Sequence, residues 1–440
     1  MKEYPYWWDT LGREPVERSA GGRPSFERPA ESRREAPVPE TADVVVVGAG
    51  YTGLAAARQL ARAGASVVVV ERERIGWGAS SRNGGQVLTG LKLDAATLVA
   101  RYGDARAREL FDVSVRAIGD LDALIAAESI DCEYARAGHL QAAWKRSHFE
   151  AFAVEQALLA RVFGHHVDLV PRDGQRREIG TDRYHGVLVD AASRALNPAK
   201  YVRGLAGAAA RAGATIVEGV RVVRIERAVA RWQVSTSNGA VDAGDVLFAT
   251  NGYTNGAAPL LQRRLIPIGS YIIATEPLDD RQADELLPTR RVVFDSKNFL
   301  YYFRLSADRR LLFGGRAEFG TPDPATTCRA AAILRDGMVA VFPQLAGVGI
   351  EYAWGGNVAF TRDQMPRAGR LDGVYYAGGY CGHGIAMATH LGAEIARRIA
   401  GEPIAHPLFD DRFPTIPAYS GTPWFLPLVG AYYQVKDWLQ

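Results

Sequence analysis

The chain has 440 residues, of which 48% are hydrophobic and 23% charged, with a formal net charge of +3. That length exceeds one ordinary core and points to two interleaved domains, and the composition is that of a soluble globular protein. Basic residues are spread along the chain, which argues against a nucleic-acid partner. Cys132, Cys328 and Cys381 are too few and too distant for a disulfide framework, no signal peptide or transmembrane run is visible, and the cytoplasm is the expected location.

Taken from the N-terminus, residues 1–40 read as an arm. Tyr4, Tyr6, Trp7 and Trp8 are too apolar to stay solvated and should dock back onto the body. Residues 11–40, rich in Arg, Glu, Pro, Gly and Ser, read as extended or disordered.

Residues 43–71 read as one complete βαβ unit. Four valines at 44–47 make a buried strand, and Gly48-Ala49-Gly50-Tyr51-Thr52-Gly53 is a GxGxxG turn. Residues 54–63 carry a helical Ala/Leu/Arg pattern closed by Gly64, and residues 67–70 form a second strand. The glycines permit the tight turn, the approach of backbone to a pyrophosphate and the close packing of helix on strand. The helix then meets the phosphates with its positive end. Glu71 stands at the tip of the second strand, where an acid binds a ribose hydroxyl and favours NAD or FAD over NADP.

Residues 76–86 are too small and polar for core and read as a loop that runs beside a flat ligand, offering backbone N–H groups. An amphipathic helix follows over 104–128, and a second helix over 198–212. Strands are expected at 215–219, 220–225, 231–235 and 245–248, the last ending in Ala249-Thr250-Asn251-Gly252. Period-two patterns between 265 and 313 indicate an antiparallel sheet. A short strand at 374–377 leads into Gly378-Gly379-Tyr380-Cys381-Gly382-His383-Gly384 and a helix over 385–399. One nucleotide site is thus assembled from the first, middle and last thirds of the chain.

This order of motifs resembles the FAD-dependent D-amino-acid oxidase superfamily over roughly residues 40–402. The Ser-Arg-Asn-Gly-Gly loop and the N-terminal Tyr-Trp-Trp-Asp-Thr look most like its gamma-glutamylputrescine oxidoreductase branch. The resemblance implies an α/β (α+β overall) fold in which a Rossmann-like FAD-binding domain (41–135, 191–258 and 353–405) is interleaved with an antiparallel-sheet substrate domain (136–190 and 259–352). Residues 406–440 would be a C-terminal extension. The resemblance also implies FAD bound extended, with its pyrophosphate at Gly48, Gly50, Tyr51, Thr52 and Gly53 and its ribose at Glu71 beside Arg72. The backbone around Val222 and Val223 would touch the adenine. Ala79, Ser80, Ser81, Arg82, Asn83, Gly84 and Gly85 would run beside the flavin, with Thr250 and Gly252 contributed from the middle of the chain. Gly379, Tyr380, Cys381, Gly382, His383, Gly384 and Ile385 would face the flavin's N1–C2=O2 edge, where a helix dipole stabilises the negative charge of the reduced ring.

Departures from the family pattern bear on the substrate. The arginine or lysine positions that clamp a substrate carboxylate in glycine and sarcosine oxidases correspond to Trp354–Val358 and to places near Gly90 and Ala386, none of them basic. An amine, or an amino acid whose carboxylate lies far from the reacting carbon, is therefore favoured over a small α-amino acid. No cysteine stands near residues 353–355, and Arg82 and Asn83 replace histidines, so the FAD is expected to be non-covalent. Cys381 reads as a packing residue more readily than as a redox group. Tyr253, Tyr271, Tyr301, Tyr302 and Trp354 are candidates for an aromatic amine pocket, with sheet core as the alternative. His383 either bonds the flavin or serves structure, and Lys297 either assists O2 or is solvated. Arg304 and Arg316 either hold a distal carboxylate or sit exposed at a sheet edge.

The expected reaction is oxidation of a C–N bond to an imine by hydride transfer to flavin, followed by hydrolysis, with O2 as acceptor giving H2O2. Two other readings stay open: an FAD dehydrogenase serving a quinone or other acceptor, and an FAD-binding subunit of a larger complex. Membrane contact through the C-terminal segment (423–429, then Leu428, Tyr432, Val435 and Leu439) is the less favoured alternative to docking on the body.

Overall fold

The computed structural model describes residues 1–12, 37–317, 322–426, 428 and 430. Two eight-stranded sheets carry the described fold. The first is built on Thr41–Val47, which pairs in parallel with Val67–Glu71 on one side and Gly239–Phe248 on the other. Its valines are buried on both faces, as a strand covered on two sides requires. Thr215–Glu218 extends this parallel core beyond Val67–Glu71, and Val374–Gly378 extends it beyond Gly239–Phe248.

The glycine-turn helix, Tyr51–Arg62, begins inside the GxGxxG turn, three residues ahead of the expected start. A Cβ on Gly53 would lie 2.0 Å from the Gly48 carbonyl oxygen, so only glycine lets the turn close on itself. The last helix, Gly384–Ile399, crosses the glycine-turn helix at Gly392, where a Cβ would lie 2.4 Å from the Thr52 carbonyl oxygen. That crossing brings the first and last thirds of the chain to one end of the sheet. The long helix runs from Ala95 to Ala127, capped by the Asp94 side chain on the Thr97 N–H. The expected start at 104 corresponds to a real break, because Gly103 leaves helical geometry at φ 72°.

The second sheet runs in the order Ile350–Phe360, Ile266–Thr275, Leu311–Gly315, Tyr301–Leu305, Val292–Asp295, His139–Ala142, Gly186–Asp190 and Asp168–Pro171. It is antiparallel except where Val292–Asp295 pairs in parallel with His139–Ala142. Strand Ile350–Phe360 crosses the expected 352/353 domain boundary and pairs with Ile266–Thr275 along its length, so residues 353–360 belong to this sheet. The stretch at 76–86 is not all loop, since Ala79–Arg82 forms one helical turn.

Tyr6, Trp7 and Trp8 are buried against Tyr352 and Trp354 of the second sheet. Of the expected extended arm, residues 13–36 lie outside the described residues. The same is true of Tyr432, Val435 and Leu439. Within the C-terminal segment Leu426 is buried, while Trp424 and Leu428 are exposed. Among the described residues, no helix is long and apolar enough to cross a membrane.

Candidate active site

A single cavity of about 630 Å³ extends from the glycine turn of the first sheet to the inner face of the second. Of the residues expected at a cofactor, Gly48, Gly50, Tyr51, Thr52, Glu71, Arg72, Ala79, Ser80, Arg82, Asn83, Gly84, Thr250, Tyr380, Cys381, Gly382, His383, Gly384 and Ile385 line it. The structure therefore brings segments from the first, middle and last thirds of the chain to one space. Hydrogen bonds knit them. Ser80 Oγ accepts from the Tyr51 N–H at 3.1 Å, and the Thr52 and Tyr380 hydroxyls meet at 2.7 Å. Asn251, named in the Ala249–Gly252 motif but not among the expected cofactor contacts, accepts from the Gly379 N–H at 2.9 Å and so ties the middle segment to the last.

Several features fit an extended dinucleotide. Neither Gly50 nor His383, the N-cap residues of helices Tyr51–Arg62 and Gly384–Ile399, places a side chain over its helix N-terminus; Ser80 Oγ takes the Tyr51 N–H, and the N–H groups that follow it have no N-cap side chain to meet them. Glu71 Oε2 accepts from the Ala49 N–H at 2.8 Å and Oε1 from the Glu73 N–H at 2.9 Å, which fixes the carboxylate at the cavity wall. The His383 ring is buried and its Nδ1 has no protein hydrogen-bond partner. Burial, with Lys92 and His139 nearby, pushes its pKa down to about 3, so the imidazole is neutral at ordinary pH. These groups suit FAD: two helix starts without an N-cap side chain for its charged parts, an acid for its ribose and an unused imidazole nitrogen beside the final glycine loop.

Other expected contacts fall elsewhere. Val223 is 51% exposed and does not line the cavity, because the strand places Val222 and Val220 inward and the alternate residue outward. Gly53 packs against Gly48, and Ser81 faces away from the cavity, its hydroxyl donating to the Gly76 carbonyl. Gly85, Gly252 and Gly379 also lie behind the wall, leaving room for Leu196, Asn357 and Thr361 respectively. The Cys381 thiol donates to the Gly379 carbonyl at 3.2 Å, and burial pushes its pKa up to about 11, the behaviour of a packing thiol.

The aromatic pocket divides. Tyr253 and Tyr302 line the cavity, the former accepting from the Asn357 N–H at 3.1 Å and the latter bonded to Ser270 Oγ at 3.0 Å. Trp354, Tyr301 and Tyr271 do not line it. Trp354 is 1% exposed in the aromatic cluster behind the sheet, its indole donating to the Arg82 carbonyl. Tyr301 turns toward helix Pro324–Val341, its hydroxyl beside Gly337. Both corrections have one cause: alternate residues of a strand face opposite sides.

The charged candidates divide too. Arg304 is only 7% exposed and spends its guanidinium on the carbonyls of Gly85, Leu196 and Leu305, so it is neither a carboxylate ligand nor an exposed edge residue. Arg316 lines the cavity, its guanidinium 4.8 Å from the Phe360 ring centroid. Lys297 is not solvated: it lies 3.6 Å from Asp295 Oδ2, with the rings of Tyr301 and Trp144 beside it, and also lines the cavity.

Sequence reasoning missed Lys92, Glu155, His139 and Asp295, all at the cavity wall. Burial and the charge of Arg316 lower the Lys92 pKa. Burial pushes the carboxyls of Asp295 and Glu155 up to about 7, against the opposing charge of Lys297 in the first case. Lys92 carried a signal, a lone cation among leucines in Leu88-Thr89-Gly90-Leu91-Lys92-Leu93. The other three gave none, because each belongs to a regular strand or helix pattern.

The family model described as FAD dependent oxidoreductase matches residues 43–398. Gamma-glutamylputrescine oxidoreductase of Escherichia coli (strain K12) is 36% identical over 402 residues, which cover 90% of this chain and 93% of the relative. The probable oxidoreductase OrdL of Haemophilus influenzae is 35% identical over 369 residues, 82% of this chain and 84% of that protein. Among solved structures, glycine oxidase from Geobacillus kaustophilus shares the fold with a TM-score of 0.72 at 20% identity, covering 84% of this chain and 97% of its own. L-Proline dehydrogenase from P. horikoshii does so at 0.69 and 20%, covering 84% and 96%. With the motifs, the two-sheet fold and the shared cavity in agreement, the chain belongs to the FAD-dependent oxidoreductase family and uses FAD as its cofactor.

Proposed function

We propose that this enzyme oxidises the C–N bond of an amine that carries a carboxylate remote from the reacting carbon. The supporting observation is the cavity wall. Lys92 and Arg316 supply cations at the cavity surface, whereas the segment 353–358 that would clamp the carboxylate of a small α-amino acid contributes none. Similarity to gamma-glutamylputrescine oxidoreductase supports the same substrate class.

FAD, when bound non-covalently, supplies the two-electron acceptor, and O2 is the final oxidant, forming H2O2. The chain's own groups prepare the donor. An amine must lose its ammonium proton before its carbon can give up hydride, and in this reading the Asp295 carboxylate takes it, its Oδ2 making no hydrogen bond and facing the Lys297 ammonium at 3.6 Å. Its carboxyl, pushed up to about 7 by burial, matches a base that works near neutral pH. The rings of Tyr253 and Tyr302 exclude water from the amine and favour its uncharged form. The uncapped start of helix Gly384–Ile399 stabilises negative charge at the final glycine loop. Loss of hydride and one proton converts the amine to an imine, and water then splits the imine into a carbonyl product and the free amine or ammonia.

Anaerobic mixing of the FAD-loaded protein with polyamines, γ-glutamylated amines, N-methyl amino acids and simple amino acids tests this reading. Bleaching of flavin absorbance at about 450 nm by carboxylate-bearing amines, with rapid return in air, is the expected result. Bleaching that persists in air would replace O2 with another acceptor. No bleaching by any amine would overturn the assignment in favour of an FAD-binding subunit.

A further inference from the structure

The helical turn Ala79–Arg82 forms one wall of the cofactor cavity and is too short to satisfy its own backbone. Asn83 follows it in extended geometry, so the carbonyls at its end find no partner in a continuing helix. Asn83 Nδ2 donates to the Ala79 and Ser80 carbonyls, while the Arg82 and Asn83 carbonyls and the Ser81 hydroxyl are met from behind by indoles. Trp354 Nε1 donates to the Arg82 carbonyl at 2.9 Å, Trp7 Nε1 to the Asn83 carbonyl at 2.9 Å, and Trp8 Nε1 to Ser81 Oγ at 2.8 Å. A tryptophan has one side-chain donor. Three of them are spent on three successive residues of one turn.

The contact is more than apolar burial. The Arg82 guanidinium lies 5.0 Å from the Trp8 ring centroid and 4.5 Å from that of Trp77, and donates to the Trp77 and Gly355 carbonyls. Ser80, on the opposite side of the turn, accepts from the first N–H of the glycine-turn helix. The N-terminal segment is itself anchored to the second sheet, Lys2 N donating to the Glu351 carbonyl at 2.7 Å and the Ala353 N–H to the Lys2 carbonyl at 2.9 Å.

We propose that the N-terminal segment is a positioning element for the cofactor: Trp7 and Trp8, with Trp354 of the sheet, hold Ser81, Arg82 and Asn83 so that the opposite side of the turn meets FAD preorganised. The segment acts through the turn and does not itself line the cavity. This assignment is independent of which donor the enzyme oxidises.

Trp8→Phe removes the indole's bond to Ser81 Oγ, and Ser81→Ala removes that bond together with the one from Ser81 Oγ to the Gly76 carbonyl. Each is expected to weaken FAD binding to the apoprotein roughly tenfold, measured by flavin fluorescence titration, and to alter the visible circular dichroism of the bound flavin. Because Ser81→Ala already removes the bond that Trp8→Phe breaks, the double variant should be weakened little more than Ser81→Ala alone. Wild-type affinity and dichroism in both single variants would overturn the proposal, and so would losses that multiply in the double variant. Should Trp8→Phe fail to fold, Trp7→Phe removes the neighbouring bond to Asn83 and is read by the same two signals. Unchanged signals there would overturn the proposal equally.

Discussion

The two ends of the cavity are made of different material. At the first sheet the wall is mainly backbone: glycines, helix starts without an N-cap side chain and the acid Glu71, whose oxygens are held by two N–H groups. At the second sheet it is side chain, with Tyr302 and Asp295 from strands and Lys297 and Arg316 just beyond strand ends, while Lys92 and Glu155 come from other elements. A backbone wall needs particular residues at particular spacings, since only glycine leaves the main chain bare. A side-chain wall needs only that some residue of the right charge arrive from any direction. Substitution in the first wall therefore meets backbone at once, as a Cβ on Gly53 would meet the Gly48 carbonyl, whereas the second wall can change its charge one side chain at a time.

The largest expected effect breaks the backbone wall. Gly53→Ala places a methyl 2.0 Å from the Gly48 carbonyl, and purified protein should carry no flavin, an affinity loss of roughly 100-fold by absorbance ratio. On the side-chain wall, Lys92→Ala and Arg316→Ala should leave flavin content unchanged. Each should raise KM for carboxylate-bearing amines about 10-fold to 100-fold, and for amines without a carboxylate hardly at all. Equal losses for both substrate types would remove these residues from carboxylate recognition.

A third test reads the pH dependence of His383. Its folded pKa, about 3, lies below the ordinary 6.5, so its neutral form is fully compatible with folding above pH 6.5. Stability is lost as pH falls from there toward 3, because the unfolded chain takes up the proton first. At about pH 5 the cost should be about 2 kcal/mol. His383→Asn should shrink the difference in Tm between about pH 7 and about pH 5 by that share, while the contribution of His139, held down to about 4 by burial, remains. The smallest effect is expected at Val223, whose exposed side chain makes Val223→Ala neutral for FAD affinity to within about twofold. Val222→Asp, one residue away and facing the cavity, should weaken it clearly.

The sequence alone determined the nucleotide end. The run of valines, the GxGxxG turn, Glu71 and the final glycine loop are local patterns, because each job they do is done by a few consecutive backbone units. It also located the long helices and the change to a period-two sheet, where hydrophobic periodicity reports burial directly. The tertiary structure decided the rest. Whether Trp354, Tyr301 and Arg304 face the cavity or its back depends on how their strands lie in the second sheet, and the same period-two pattern serves either face. Lys92, Glu155 and Asp295 became neighbours of one space only when separate elements closed around it. Spacing along a chain records what adjacent residues do together, while a wall built from distant side chains exists only after the fold has paid the entropy of assembling it.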